Sequence, residues 1–255
     1  MSRAKQDIAS VPYDIRQFMP TECVWLQMSA HHGRKQTNAS APETYDVGEG
    51  CTLSASASST LTHFVNTGEE PSAYWRLAIS NATANSRAYI GHNRSNGATS
   101  FTLGKNEADV TTRVRFNSTD TSGSLAATAM VGFFDTNATM SGQLSACCFY
   151  TTNLSKTWEC KIFATGGTVE YDKSFNTGIS STEWRDLSVW VSADGKKAVF
   201  TIDSQPVWSL ADSGLTDLNN ADRSGGGAKI RRIATGNGSK TFDVAWYLER
   251  HFCKR

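Results

Sequence analysis

Between Ser181 and Leu210 the chain alternates hydrophobic and polar residues. Leu187, Val189 and Val191 form one series, while Asp186, Ser188, Trp190 and Ser192 form the other. A two-residue repeat sends successive side chains to opposite faces, so it predicts a strand with one face buried. Asp194-Gly195 then suits a two-residue hairpin loop, because both positions accept the positive φ that matches the twist of the flanking strands. Beyond it Ala198, Phe200 and Ile202 share a face against Lys197, Thr201 and Asp203, and Ser204-Gln205-Pro206 turns the chain again. The stretch predicts a three-stranded antiparallel meander.

The same pattern predicts strands over 75–80, 88–91, 110–116, 129–134, 143–150, 158–164, 187–192, 198–203, 230–235 and 242–250, separated by Gly, Asn, Asp and Ser clusters. Short strands with regular turn signals indicate an all-β antiparallel sandwich or barrel. Helical periodicity never lasts beyond about two turns, so helices are expected only as connectors. No internal repeat and no polar linker divides the region from residue 46 to 255, which is expected to form one sandwich domain. Residues 1–45 differ: they mix charge, Pro12, Pro20 and Pro42 with one apolar patch, Cys23-Val24-Trp25-Leu26. They read as an extended N-terminal arm anchored by Trp25 and Leu26, which need a surface on the chain's own sandwich or on a neighbouring subunit. Gly225-Gly226-Gly227 reads as a flexible turn, and Lys229, Arg231 and Arg232 as alternating residues on a solvated strand edge.

Charge narrows the partners. Among 255 residues Lys plus Arg number 25 and Asp plus Glu 24, so no bulk charge draws the chain to a nucleic acid or an anionic membrane. No apolar run is long enough for a signal-peptide core or a bilayer span, which leads to the expectation of a soluble protein made in a cytoplasm. The seven Asn-X-Ser/Thr sequons then read as a by-product of an Asn-, Ser- and Thr-rich chain. Cys23, Cys51, Cys147, Cys148, Cys160 and Cys253 lack paired metal-ligand spacings and are expected to be free, buried thiols.

Candidate chemistry is sparse. Glu69-Glu70 lies in a predicted loop, and Glu170 with Asp172 is the best carboxylate pair that a shared strand face offers for glycan hydrolysis. No Gly-X-Ser-X-Gly elbow is present, and His31, His32, His63, His92 and His251 have no partner identifiable from the sequence. The Gly run precedes a strand, so it makes no phosphate cradle. Asp217–Asp222 and Asp135–Asn137 offer calcium-type oxygen ligands, although Asp and Asn are also the ordinary turn formers. No cofactor, metal site or catalytic residue is assigned. Of seven tryptophans, Trp190 and Trp208 stand out as candidate glycan or subunit contacts, because Trp190 lies on the mixed face with Ser188 and Ser192 and Trp208 closes the meander.

Several segments in order resemble the concanavalin A-like (laminin-G-like) jelly roll of bacteriophage virion proteins: SAYWRLAISNATANSRAYIGHN over 72–93, DVTTRVRF over 109–116, MVGFFDTN over 130–137, WECKIFATGG with the later TEWRDLSVWVSADGKKAVFTID, and FDVAWYLER over 242–250. One departure is the turn after Ile202-Asp203, where the family usually places Gly or Asn-Gly and this chain has Ser204-Gln205-Pro206. The resemblance implies a jelly-roll sandwich on a tailed-phage virion, partnered by other virion proteins and assembled as a homotrimer. With no reactive constellation in the sequence, the expectation is a non-enzymatic structural protein, a capsid decoration ahead of a tail fibre. The alternative is a glycan-binding module for attachment to the host surface.

Overall fold

The computed structural model describes residues 23–29, 43–48, 51–55, 59–65, 71–79, 86–92, 107–117, 127–135, 145–164, 171–211, 224–233 and 239–252. The strands among them are, in chain order, β1 Cys23–Ser29, β2 Glu43–Gly48, β3 Cys51–Ala55, β4 Ser59–Val65, β5 Ala73–Ile79, β6 Arg87–His92, β7 Glu107–Asn117, β8 Ala127–Asp135, β9 Ser145–Thr152, β10 Thr157–Ala164, β11 Tyr171–Ser180, β12 Arg185–Val191, β13 Lys197–Ile202, β14 Gln205–Ala211, β15 Ser224–Arg232 and β16 Lys240–Phe252. Two eight-stranded sheets result. Sheet A runs β14-β13-β12-β7-β16-β5-β4 with β1 also against β16, and sheet B runs β11-β10-β9-β8-β15-β6-β3-β2. Every pairing is antiparallel. The protein is an all-β antiparallel sandwich of the jelly-roll type.

Alternation builds the core. β5 buries Ala73, Trp75, Leu77 and Ile79 and turns Tyr74, Arg76 and Ala78 outward, while β12 buries Leu187, Val189 and Val191. Between the sheets the aromatic rings meet edge to face: Phe149 stands at 88° to Phe200 with centroids 5.3 Å apart, and at 78° to Trp158. Each such side chain contributes about 1.5–3 kcal/mol on leaving water, and the edge-to-face contacts add to that.

The predicted meander is present, with its turns redistributed. Val191 pairs with Ala198, Ser192 N–H donates to the Lys197 carbonyl at 3.0 Å and Gly195 N–H to that of Ser192 at 2.9 Å, so the first loop spans Ala193–Lys196. In it only Gly195 has positive φ, 68°. The two-residue loop occurs at the second turn instead. Ile202 pairs with Gln205, leaving Asp203 and Ser204 at φ 50° and 65°. This is the type I′ pattern that the right-handed strand twist favours. Pro206 therefore lies inside β14, where an edge strand tolerates its missing N–H.

Two sequence expectations about β15 are corrected. Gly225–Gly227 is part of the strand, and β15 lies between β8 and β6, with Lys229 and Arg232 buried. Gly226 has no room for a side chain because sheet A closes on it, and Gly227 has none because Tyr89 of the adjacent β6 lies over it. A Cβ on Gly226 would sit 2.5 Å from the Tyr247 hydroxyl and 2.9 Å from the Glu249 carboxyl carbon, and one on Gly227 would sit 2.6 Å from the Tyr89 ring.

β16 organises sheet A. One flank pairs with β7 from Thr241 to Phe252; the other pairs with β5 from Lys240 to Val244 and with β1 from Trp246 to Phe252. The register against β7 shifts between Val244 and Trp246, so Ala245 is an extra residue where β5 gives way to β1. One extra residue inverts the alternation. Phe242 and Val244 face the core before it; Tyr247, Glu249 and His251 face the core after it, level with Thr112, Val110 and Ala108. Trp25 and Leu26 of the N-terminal segment sit in β1 opposite Arg250 and Glu249, so this patch docks on the chain's own sandwich through the backbone ladder.

Candidate functional site

The outward residues of five neighbouring strands form one connected surface on sheet A. Arg76 of β5, Asp243 of β16 and Arg115 of β7 are cross-strand neighbours, which brings both guanidinium groups to one carboxylate. Arg76 Nε donates to Asp243 Oδ1 at 2.7 Å and its Nη2 to Oδ2 at 2.9 Å. Arg115 donates to Oδ2 through Nη2 at 2.8 Å and Nε at 3.3 Å. Asp243 is fully buried beneath them, while the two arginine side chains stay 25% and 22% exposed. The hydrogen bond to Asp243 is the main reason the Arg76 pKa is raised above its ordinary value, which fixes it as a cation.

Aromatic rings frame the guanidinium groups. Phe64 of β4 stacks on Tyr74 of β5 with centroids 5.1 Å apart, and Tyr74 meets Trp184 edge-on at 5.6 Å. The Arg76 guanidinium lies 4.8 Å from the Phe64 centroid and 5.4 Å from that of Tyr74. Arg115 lies 4.7 Å from Trp184 and 5.9 Å from Tyr74. These are cation–π distances, and each contact adds to the hold that Asp243 already has on the guanidinium planes. All five side chains are half-buried, so the surface is fixed and still open to solvent. Next to it Arg113 donates to Asp186 at 3.1 Å, and Arg185 pairs with Asp203 at 2.8 Å and with Glu183.

Sequence reasoning missed this surface, although its signal is the alternation itself. In Tyr74-Trp75-Arg76 and Arg113-Val114-Arg115 the polar residues fall between buried apolar ones, so they must point away from the core. The residues that were singled out lie elsewhere and are not brought together. Trp190 is half-buried on the outer face of β12, with Nε1 donating to Glu107 Oε1 at 2.8 Å. Trp208 turns the other way: from edge strand β14 it packs against the core at 5.3 Å from Phe200, and it stacks with Phe175 of β11 at 6.2 Å. Trp25 and Leu26 are placed only by the pairing of β1. Glu69, Glu70, Glu170 and the loop Asp217–Asp222 lie outside the described residues.

A second constellation lies inside the sandwich. The Glu249 carboxylate accepts from the Tyr247 hydroxyl, from Gly226 N–H at 3.2 Å and meets His251 Nε2 at 2.7 Å. His251 therefore has a carboxylate partner that the sequence reading did not identify. The alternation Tyr247-Leu248-Glu249-Arg250-His251 carries that signal, since residues two apart on a strand share a face. Tyr247 and Glu249 are fully buried, so the group is closed to any large ligand.

No protein-family model matches the sequence, and no curated protein matches it. Solved structures do. A Shewanella oneidensis MR-1 protein of unknown function superposes with a TM-score of 0.60 at 12% identity, covering 98% of this chain and 94% of that one. The conserved carbohydrate esterase of the Shiga toxin-encoding bacteriophage phi24B gives 0.47 at 12% identity, over 80% of this chain and 91% of that one. The alginate lyase A1-II′ of polysaccharide lyase family 7 gives 0.47 at 12% identity, over 73% and 82%. At such identities the likeness is one of fold.

These neighbours correct one expectation. The sequence reading excluded an enzyme because no reactive motif was found, yet the similar structures include polysaccharide lyases and a carbohydrate esterase. The exclusion of an enzyme is withdrawn. Its physical weakness lies in the search itself, which looked for linear motifs: a carboxylate pair on one strand, a nucleophile elbow, a phosphate cradle. A cross-strand row such as Arg76, Asp243 and Arg115, whose members are far apart in sequence, has no such linear signature.

Proposed function

We propose that the chain is a structural protein displayed on a tailed-phage particle, and that the outer face of sheet A recognises a glycan. The phage context is supported by the ordered resemblance of the segments over 72–93, 109–116, 130–137 and 242–250 to jelly-roll virion proteins. The observation that carries the glycan reading is the frame of Phe64, Tyr74 and Trp184 around Arg76 and Arg115. Sugar rings bind by stacking their C–H faces on aromatic side chains while their hydroxyls meet fixed polar groups, and both kinds of group occur here on one rigid sheet. Head decoration is the first reading of its place. Host attachment from a tail or head fibre is the second, and the aromatic face favours it.

Two experiments test the proposal. A glycan array with the full-length protein should give signals that Trp184→Ala removes while the thermal midpoint stays within a few degrees; binding unaffected by that change would reject this face. Immunogold labelling of phage particles with antibody to the protein should label the head for decoration or the tail for a fibre. Particles without label would reject the virion assignment.

A further inference from the structure

The same face carries a narrower inference, which rests on the glycan reading above. Asp243 engages only Nε and Nη2 of Arg76 and Nε and Nη2 of Arg115. The Nη1 group of each arginine has no partner among the described residues, and both side chains are partly open to water. Two guanidinium groups on one buried carboxylate leave one uncompensated positive charge. The excess is local to these two arginines: Arg113 and Asp186 beside them form a neutral pair, and the balancing negative charge lies at Arg185, which holds both Glu183 and Asp203. The stacking rings and the buried Asp243 hold both planes in place before any ligand arrives, so little side-chain freedom is lost on binding.

We propose that this face selects a carboxylate-bearing sugar, a hexuronic or sialic acid unit, with its carboxylate on the Nη1 groups of Arg76 and Arg115 and its ring against Trp184 or Tyr74. Arginine forks match a carboxylate in shape as well as charge, and a neutral sugar offers the open Nη1 groups no such charge-assisted pair. Trp184 and Tyr74 stand beside the forks, where they can hold the ring that bears the carboxylate.

The test is calorimetric titration of the full chain with a panel of oligohexuronates and sialyl-oligosaccharides, each paired with its carboxyl-reduced neutral counterpart. At least one acidic member should bind about ten-fold or more tightly than its reduced partner. The double variant R76K/R115K keeps both charges for Asp243 but loses the forks, and it should erase that preference while the protein remains folded by thermal denaturation. Equal binding of an acidic sugar and its reduced partner would overturn the inference and leave the glycan reading standing. Undiminished preference in R76K/R115K would overturn the assignment to these arginines. Binding of no member, acidic or neutral, would overturn the inference and the glycan reading together.

Discussion

A methyl group is enough to test how tightly the two sheets meet at Gly226. Val110, Tyr247 and Glu249 already occupy the space where its Cβ would go, and Glu249 takes a hydrogen bond from the Gly226 N–H. Gly226→Ala forces those side chains apart, and overpacking of this kind costs about 1–3 kcal/mol. The expected outcome is a lower denaturant midpoint with an unchanged slope. The thiols make a second prediction at this scale. Burial, first among the causes, raises the Cys147 pKa well above the usual 9.0 and brings Cys148 up to about 12; Cys160 is raised in the same way. A group with a raised folded value stays protonated in the native state after its unfolded counterpart has ionised, so each step upward in pH favours unfolding. For Cys148 the stability is fully present below pH 9.0 and is lost as the pH rises toward about 12. Urea unfolding between pH 8 and 10.5 should show a falling midpoint. Alkylation followed by mass spectrometry at pH 8 should leave these three thiols unmodified until the protein unfolds.

Elements show what the linear pattern could and could not reveal. β5, β12, β13 and the second half of β7, from Arg113 onward, were legible because each buries every second residue against one sheet, which is a property of the strand alone. The glycine half of β15 was not, although its last residues fall in the strand predicted over 230–235, since the reason for its glycines lies on β16 and β6, far away in sequence. The inward turn of Glu249 was hidden for a related cause: it depends on an extra residue at Ala245, and nothing local marks a bulge there. The candidate surface lay in between, its outward residues readable one strand at a time while their meeting on Asp243 required the strand order. β1 offers the prediction at this scale. Its ladder with β16 runs from Cys23 to Ser29 opposite Phe252 to Trp246. Removing residues 1–29 should raise amide hydrogen exchange selectively over 246–252, because those residues lose one flank, while 240–244, held between β5 and β7, should change little. Uniform exchange along β16 would show that the ladder adds nothing local.

For the whole molecule, the prediction concerns assembly. The resemblance to phage virion proteins leads to a homotrimer, so sedimentation should give three times the chain mass of 27.7 kDa. A single-chain mass across the micromolar range would remove that expectation. The position of β16 has its own consequence for how the molecule is made. Its neighbours β1, β5 and β7 leave the ribosome more than a hundred residues earlier, yet none of them pairs with another of the three in sheet A. The nascent chain must therefore carry their bare edges until residues 240–252 emerge, and contacts between segments so distant in sequence close slowly. Such edges invite pairing with other chains. A chain interrupted before residue 240 should thus become a target for chaperones and proteases instead of a smaller folded protein.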